Sequence, residues 1–191
     1  MDKLLTIIIP TYNMEMFLKR CLDSLLLDDM TLLGKLEVLI INDGSKDSSS
    51  KIAHNYSEQH PCVFKVIDKE NGNYGSCINA GLKVATGKYV KILDADDWFD
   101  NNQFLIYVKV LTSLDSDLVL TNIRQVSSSR MLSETKMPDN LRGKEFSLEE
   151  LRFNEDKIIP LVAMHSITIK KDILTFNNES TCKSGIKLIK H

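Results

Sequence analysis

Three aspartates stand within four residues of the chain, at Asp94, Asp96 and Asp97, directly after the apolar stretch at residues 89–93. Carboxylates this close together repel one another unless a cation compensates their charge. Oxygen ligands are the ones that Mg²⁺ and Mn²⁺ prefer, and magnesium is usually held by one or two carboxylates together with substrate phosphates. The spacing therefore predicts a divalent metal site that also takes a phosphorylated ligand.

A second interpretation of the same residues is that Asp96 and Asp97 only cap the turn ahead of Trp98. The position after a strand favours the metal site, because ligands of open α/β sheets lie beyond the carboxyl ends of the strands. The two roles are compatible, since one aspartate can cap while another binds the cation.

The elements around this motif alternate between short apolar runs, which predict buried strands, and stretches with helical periodicity. The predicted strands are residues 4–9, 37–41, 63–67, 89–93, 118–121 and 167–169, and the predicted helices are 14–27, 48–60, 76–85 and 104–114. Asn13 is placed to cap the first helix, and residues 124–143 are expected to form a loop or excursion. Four strand–helix cycles predict an α/β fold, with a Rossmann-like, mainly parallel sheet that carries helices on both faces.

Polar residues follow three of these strands and should line one rim of the sheet. Thr11, Tyr12 and Asn13 follow the first strand, and Asp43 follows the second. Asp43 is either a turn residue or an acceptor for a base or ribose, and its position alone does not choose between them. No Gly-x-Gly-x-x-Gly follows the first strand and no Gly-Lys-Ser/Thr is present, which disfavours dinucleotide-binding and P-loop folds.

The composition is that of an ordinary globular protein and excludes several classes of partner. The chain has 191 residues, 43% hydrophobic and 26% charged, with a formal net charge of -2. Neither nucleic acid binding nor a disulfide framework is expected. Because no leader or membrane-spanning run is seen, the expected location is cytoplasmic, and peripheral association with the inner face of a membrane stays open.

Five motifs in order resemble the landmarks of family 2 glycosyltransferases. They are Ile8-Ile9-Pro10-Thr11-Tyr12-Asn13, Ile41-Asn42-Asp43-Gly44-Ser45-Lys46-Asp47, Asn79-Ala80-Gly81, Gly87-Lys88-Tyr89 and Leu93-Asp94-Ala95-Asp96-Asp97-Trp98. The resemblance is close over residues 4–99 and looser to 174. It implies a GT-A fold, a nucleotide-sugar donor, with UDP as the expected nucleotide, Mn²⁺ or Mg²⁺, and transfer with inversion.

Carried over residue by residue, the resemblance implies roles at the rim. Thr11 and Tyr12 would flank the uracil and ribose, and Asp43 would accept from the base. Asp94 would reach the ribose or the sugar. Asp96 would bind the metal that bridges the diphosphate, with Asp97 as a competing ligand. The donor-binding positions implied in this way also include Asn13 and Ala95.

The chain departs from the family pattern at two places. Ile78 stands where many members carry an arginine, and Lys69 is a candidate replacement charge near the diphosphate. The acidic general base, often in a Glu-Asp pair, is not found, and the setting of Glu179 does not match it. Met164-His165-Ser166-Ile167 resembles the acceptor-side strand, which makes His165 a candidate acceptor contact.

These observations predict one domain with two halves. Residues 1–99 would bind the nucleotide sugar, and residues 100–191 would form the acceptor side, incomplete at the C-terminus. The first hypothesis is a transferase that moves the sugar to a hydroxyl of a saccharide or lipid-linked acceptor, in bacterial surface polysaccharide or glycolipid synthesis. The second is a remnant that binds the donor without transferring it, which the missing base favours.

Overall fold

The computed structural model describes residues 2–127, 130–136 and 164–174. The chain divides into two compact units, Met1–Leu114 and Asp115–His191. The first unit contains a parallel sheet with its helices, and the second contains antiparallel strand pairs.

The first unit alternates strands and helices as the sequence predicts. Its strands are β1 (Leu5–Thr11), β2 (Leu36–Asn42), β3 (Phe64–Asp68) and β4 (Tyr89–Ile92). Its helices are α1 (Leu18–Asp23), α2 (Met30–Leu33), α3 (Ser49–Gln59), α4 (Asn73–Val84) and α5 (Asn101–Leu111).

The sheet of this unit has the strand order β3-β2-β1-β4, and all of its ladders are parallel. Every residue of β1 and β2 is buried, so both faces of these strands are covered. A parallel strand covered on both faces requires a continuous apolar run. The run that contains Ile7, Ile8 and Ile9, all fully buried, predicted β1 for this reason. The predicted α/β fold with a mainly parallel sheet is confirmed.

Helix α4 packs closely against β1 because it carries Gly81 at the contact. A Cβ atom built on Gly81 would lie 2.6 Å from Cγ2 of Ile8, well inside van der Waals contact. Ile8 is fully buried in the middle of β1. The absence of a side chain at Gly81 therefore sets the distance between this helix and the sheet.

A buried carboxylate lies near the amino ends of the strands. Glu37 of β2 accepts hydrogen bonds from Thr6 Oγ1 (2.7 Å), Lys65 Nζ (2.9 Å) and the Thr86 amide (2.7 Å). Burial would raise the pKa of Glu37, but these hydrogen bonds outweigh burial and the net pKa lies below the usual value. Because this cluster is at the end of the sheet opposite the polar strand ends, we interpret it as structural.

We expect Glu37→Gln to lower the free energy of unfolding by roughly 1–3 kcal/mol at pH 7. A lowered folded pKa stabilises the protein above the unfolded value of about 4.3, and this contribution is lost as the pH falls through the folded pKa. Urea unfolding should therefore show that the free energies of unfolding of wild type and Glu37→Gln differ less at about pH 3.5 than at pH 7. Exposed Glu58, changed to Gln, is the control. A difference for Glu37→Gln that stays constant with pH would contradict the interpretation.

Several predicted helix boundaries of the first unit are wrong. Helix α1 spans Leu18–Asp23 rather than residues 14–27, and α5 spans Asn101–Leu111 rather than residues 104–114. The N-cap residue of α1 is Phe17, whose side chain makes no capping hydrogen bond. Helix α4 begins at Asn73, three residues earlier than predicted.

The second unit contains the antiparallel pair β5 (Leu118–Leu120) and β8 (Ile167–Lys170). It also contains a hairpin of β6 (Ile123–Ser127) and β7 (Arg130–Thr135), whose register shifts between Gln125 and Val126. Of the loop or excursion predicted at residues 124–143, the loop is wrong for residues 124–127 and 130–135, which form a separate two-stranded sheet as an excursion would. Short 3-10 turns at Met164–Ser166 and Lys171–Ile173 flank β8.

Candidate functional site

The carboxyl ends of β1, β2 and β4 lie at the same edge of the first unit's sheet. Strand β1 lies between the other two. The Asp43 amide donates to the carbonyl of Thr11 at 2.9 Å, and the Leu93 amide donates to that of Ile8 at 3.0 Å. The structure thus brings together the polar residues that the sequence places after three different strands.

Asp43 is a buried, ionised acceptor, with 3% of the residue exposed. Its Oδ1 accepts hydrogen bonds from Lys69 Nζ at 2.5 Å and from the Gly72 amide at 2.9 Å. Burial would raise the pKa of Asp43, but the Lys69 and Gly72 contacts outweigh it, so the net pKa lies below the usual value. A carboxylate offers about four acceptor positions, so these two donors leave capacity for a ligand.

Lys69 is therefore held at the rim rather than in solvent. Its side chain is 22% exposed and ion-paired with Asp43, and its Nζ also donates to the Glu70 carbonyl. The Lys69 amide donates to the Asn42 carbonyl at 3.0 Å, which fixes the backbone at the end of β3. Lys69, the candidate positive charge near a diphosphate, therefore lies at this edge. It is paired with Asp43, the candidate acceptor for the base.

Asn13 connects two loops of the rim and does not cap a helix, so the predicted cap is wrong. Its backbone is in the left-handed region, with a φ of 54°. The side-chain oxygen accepts from the Lys46 amide at 2.8 Å, and the Asn13 amide donates to Ser45 Oγ at 3.1 Å. These bonds join the loop after β1 to the loop after β2.

The two residues predicted to flank a base have different environments. Thr11 is 1% exposed, and its hydroxyl donates to the Ile9 carbonyl at 3.1 Å. Tyr12 is 46% exposed. Of this pair, Tyr12 presents an accessible aromatic surface, whereas the side chain of Thr11 is buried.

The acidic motif forms a turn, which we call the acidic turn (residues 94–97). The Asp97 amide donates to the Asp94 carbonyl at 3.0 Å, and Ala95 is buried. Asp96 is exposed, while Asp94 and Asp97 are half-buried. A carboxylate oxygen of Asp94 and one of Asp97 lie within 4.8 Å of each other, and such oxygens suit a divalent cation.

The helix after this turn is capped by a different residue. Asp100 is the N-cap of α5, and its Oδ1 accepts from the Gln103 amide at 3.1 Å. Asp96 and Asp97 therefore do not cap α5, and the capping role considered for them concerns only the turn ahead of Trp98. The side chain of Trp98 is stacked by Arg20, whose guanidinium carbon is 3.3 Å from the ring centroid.

A lysine and a thiol are buried next to the acidic turn. Burial lowers the pKa of Lys91 to about 7, although the charge of Asp97 opposes this shift. Because a pKa of about 7 leaves only part of the Lys91 population protonated at neutral pH, Lys91 compensates the negative charge of the acidic turn only in part. Burial, followed by the charges of the three aspartates, raises the pKa of Cys21, which disfavours a thiolate ligand at this site.

Tyr74 is a rim residue that the sequence reasoning did not single out. It lies in the first turn of α4, and its hydroxyl donates to Oδ1 of Asp94 at 2.6 Å. Burial and then the Asp94 contact raise the pKa of Tyr74, so the hydroxyl stays protonated at neutral pH. The predicted helix begins at residue 76, so Tyr74 lay outside it, and its place on the same helix face as Ile78 follows only from the earlier start of α4 at Asn73.

The candidate acceptor residue belongs to the second unit. His165 is exposed and lies in the 3-10 turn Met164–Ser166, directly before β8. Glu179, which was weighed as a general base, is outside the described residues.

A model of the family described as glycosyl transferase family 2 matches residues 6–175 of the chain. The chain belongs to this family. The match includes the rim residues of the first unit and His165 of the second. Family membership therefore agrees with the resemblance that the five sequence motifs carried.

Curated relatives in this family are longer than the chain. Glycosyltransferase GlyA of Streptococcus pneumoniae serotype 4 is 31% identical over 129 residues, which are 67% of this chain and 18% of GlyA. The uncharacterized glycosyltransferase EpsJ of Bacillus subtilis strain 168 is 34% identical over 143 residues, which are 75% of this chain and 40% of EpsJ. The chain thus spans less than half the length of these relatives.

Solved structures share the fold. S. aureus TarS (residues 1–349) in complex with UDP superposes with a TM-score of 0.67 at 22% identity, over 90% of this chain and 48% of that one. The mannosyltransferase PcManGT of Pyrobaculum calidifontis, in complex with GDP-Man and Mn²⁺, has a TM-score of 0.63 at 20% identity, over 100% of this chain and 55% of that one. Both likenesses confirm the GT-A fold.

Across residues 2–127, 130–136 and 164–174, no helix combines the length and apolar character that crossing a lipid bilayer requires.

Proposed function

We propose that the rim formed by β1, β2 and β4 binds a nucleoside-diphosphate sugar, and that the protein transfers the sugar to a hydroxyl acceptor. The observation that carries this proposal is the convergence of two carboxylate groups at one sheet edge, Asp43 after β2 and the acidic turn after β4. Asp43 suits the hydrogen-bond donors of a base or ribose, and the acidic turn suits a cation that holds phosphates.

The acidic turn is the part that would hold a divalent cation. Asp96 and Asp97 are the proposed ligands. The carboxylate oxygens that lie within 4.8 Å of each other belong to Asp97 and Asp94, so this closeness supports Asp97 directly and Asp96 only as its neighbour in the same turn. Mn²⁺ or Mg²⁺ bound there would stabilise the negative charge of a departing nucleoside diphosphate. The Mn²⁺ in the PcManGT complex supports a cation of this kind.

The nucleoside would lie against the loops after β1 and β2. Asp43 would accept from the base, with its carboxylate held by Lys69, and Tyr12 would present its ring to the base or ribose. Thr11, Asn13 and Ala95 would shape the surface through their backbone and packing. We propose a UDP-sugar, supported by TarS structures in complex with UDP and with UDP-GlcNAc. GDP is the alternative to test, since PcManGT is in complex with GDP-Man.

Transfer with inversion requires an acceptor hydroxyl to attack the anomeric carbon from the side opposite the diphosphate. A new C–O bond forms as the bond to the diphosphate oxygen breaks, and a general base takes the hydroxyl proton. His165 is proposed as an acceptor contact, and we assign no residue as the base. The proposed acceptor is a saccharide or lipid-linked saccharide of a bacterial surface polymer.

The first test is the binding of nucleotides to the 191-residue protein by calorimetry. UDP is expected to bind in the presence of Mn²⁺ and to lose most of its affinity when EDTA removes the metal. The affinity for GDP, measured in the same way, shows whether the site prefers a uracil or a guanine nucleotide. If neither UDP nor GDP binds with the metal present, the proposed donor site is wrong.

A second test distinguishes a transferase from a protein that only binds the donor. Incubation of metal-loaded protein with UDP-GlcNAc, with and without a bacterial lipid extract as acceptor, is followed by the release of UDP. Release that depends on the acceptor would support transfer. Binding without any release would favour the remnant.

A further inference from the structure

One short segment, residues 69–74, contacts carboxylates that follow two different strands. Lys69 Nζ and the Gly72 amide hold Asp43 after β2, and the Tyr74 hydroxyl holds Asp94 after β4. Strand β1 separates β2 from β4, so the two strands are about 10 Å apart. The segment therefore fixes acidic side chains on both sides of the central strand.

The backbone of this segment has a conformation that determines where Tyr74 lies. Asn73 has a φ of 67°, in the left-handed region that few residues adopt. A Cβ atom on Gly72 would lie 2.7 Å from Ser76 Oγ and 3.0 Å from Lys69 Nζ. Gly72 and Asn73 thus allow a close turn into α4, which places Tyr74 within hydrogen-bond distance of the acidic turn.

The Tyr74 contact acts on the side chain of Asp94, whereas other contacts hold its backbone. The Asp94 carbonyl accepts from the Asp97 amide at 3.0 Å and from Cys21 Sγ at 3.7 Å. Loss of the Tyr74 hydroxyl should therefore remove one hydrogen bond from the carboxylate while leaving the turn in place. A side chain that must be ordered when a ligand binds lowers the affinity for that ligand.

We propose that Tyr74 is a positioning residue for the nucleotide sugar, which holds the Asp94 carboxylate ready to accept hydroxyl groups of the ribose or sugar. The inference rests on the proposed function of the rim. A single hydrogen bond from Tyr74 leaves a carboxylate with further acceptor capacity, so positioning and ligand binding are compatible.

The test is Tyr74→Phe, which removes the hydroxyl and keeps the ring. Tyr56→Phe is the matched control, because the Tyr56 hydroxyl also donates to an aspartate, Asp23, away from the rim. We expect Tyr74→Phe to weaken UDP binding in Mn²⁺ by roughly five- to thirtyfold, the factor that a change of about 1–2 kcal/mol makes in an equilibrium constant. Tyr56→Phe should bind UDP within about twofold of wild type, since it alters a similar bond elsewhere.

Thermal unfolding of both variants without ligand separates positioning from stability. Similar unfolding midpoints together with a selective loss of affinity in Tyr74→Phe would support the proposal. Unchanged UDP affinity in Tyr74→Phe, or an equal loss in both variants, would overturn it.

A measurement without ligand keeps this inference separate from the proposed function. The side-chain carboxyl ¹³C resonance of Asp94 should shift in Tyr74→Phe and stay in place in Tyr56→Phe. If wild type binds neither UDP nor GDP, the proposed function fails, and positioning for a nucleotide sugar fails with it, while this resonance still reports whether Tyr74 fixes Asp94. An unshifted resonance would overturn positioning even if the nucleotide binds.

Discussion

Asp96→Ala is expected to weaken Mn²⁺-dependent binding of UDP by roughly 100-fold or more. Loss of a residue that only hydrogen-bonds to a metal ligand typically costs about 10- to 100-fold, and loss of a ligand itself should cost more. Asp96 is the exposed member of the acidic turn, and alanine removes its charge and both oxygens. Buried Ala95 and the Asp97 amide contact should keep the turn folded. Calorimetric titration with UDP, with Mn²⁺ and with EDTA, measures the effect.

Two further variants make this result specific. Asp28→Ala changes an exposed aspartate in the connection between α1 and α2 and should leave UDP binding unchanged. Asp97→Ala tests the competing ligand, whose oxygen lies within 4.8 Å of one of Asp94. Full metal-dependent binding by Asp96→Ala, with loss in Asp97→Ala, would contradict Asp96 as a ligand and assign the cation to Asp97. Full binding in both variants would mean that the acidic turn does not hold the cation.

Gly81→Ala is expected to destabilise the protein by about 2 kcal/mol and to lower the unfolding midpoint by roughly 4–8 °C. The new Cβ would lie 2.6–2.9 Å from three carbons of Ile8, which is fully buried and cannot move aside freely. Alanine is the better helix former by about 1 kcal/mol, so the predicted loss is what remains after this gain. Urea and thermal unfolding measure both quantities.

Gly75→Ala is the matched control because it changes another glycine of the same helix. A Cβ on Gly75 meets no atom within 4 Å, so only the gain in helix propensity applies. We expect Gly75→Ala to stabilise the protein by about 0.5–1 kcal/mol. Effects of the same sign for the two substitutions would show that close packing against Ile8 does not decide the outcome.

The parallel strands could be predicted because their signal is local. A strand covered on both faces needs an unbroken apolar run, and the run at residues 37–41 predicted β2 (Leu36–Asn42) to within one residue at each end. Helix ends were less predictable. The first helix begins later than predicted because Asn13 bonds to the loop after β2. Helix α4 begins three residues earlier than predicted, since Asn73 turns the chain into the helix with a left-handed backbone and Gly75 is helical despite its low propensity.

The hairpin of β6 and β7 was missed for a related reason. The sequence predicts only a loop or excursion over residues 124–143, but the residues on either side of 128–129 pair as antiparallel strands. Pairing between strands provides hydrogen bonds that a single stretch of sequence does not reveal.

The sequence by itself determined which residues stand at the ends of strands, because periodicity identifies the strands and ligands of α/β sheets lie beyond those ends. It thereby placed Asp43 and the acidic turn at one rim, and its ordered motifs indicated the family that the comparisons confirm. Only the tertiary structure decided the partners of these carboxylates. Lys69 pairs with Asp43 across 26 residues and Tyr74 reaches Asp94 across 20, because the strand order and the turn into α4 bring distant segments together.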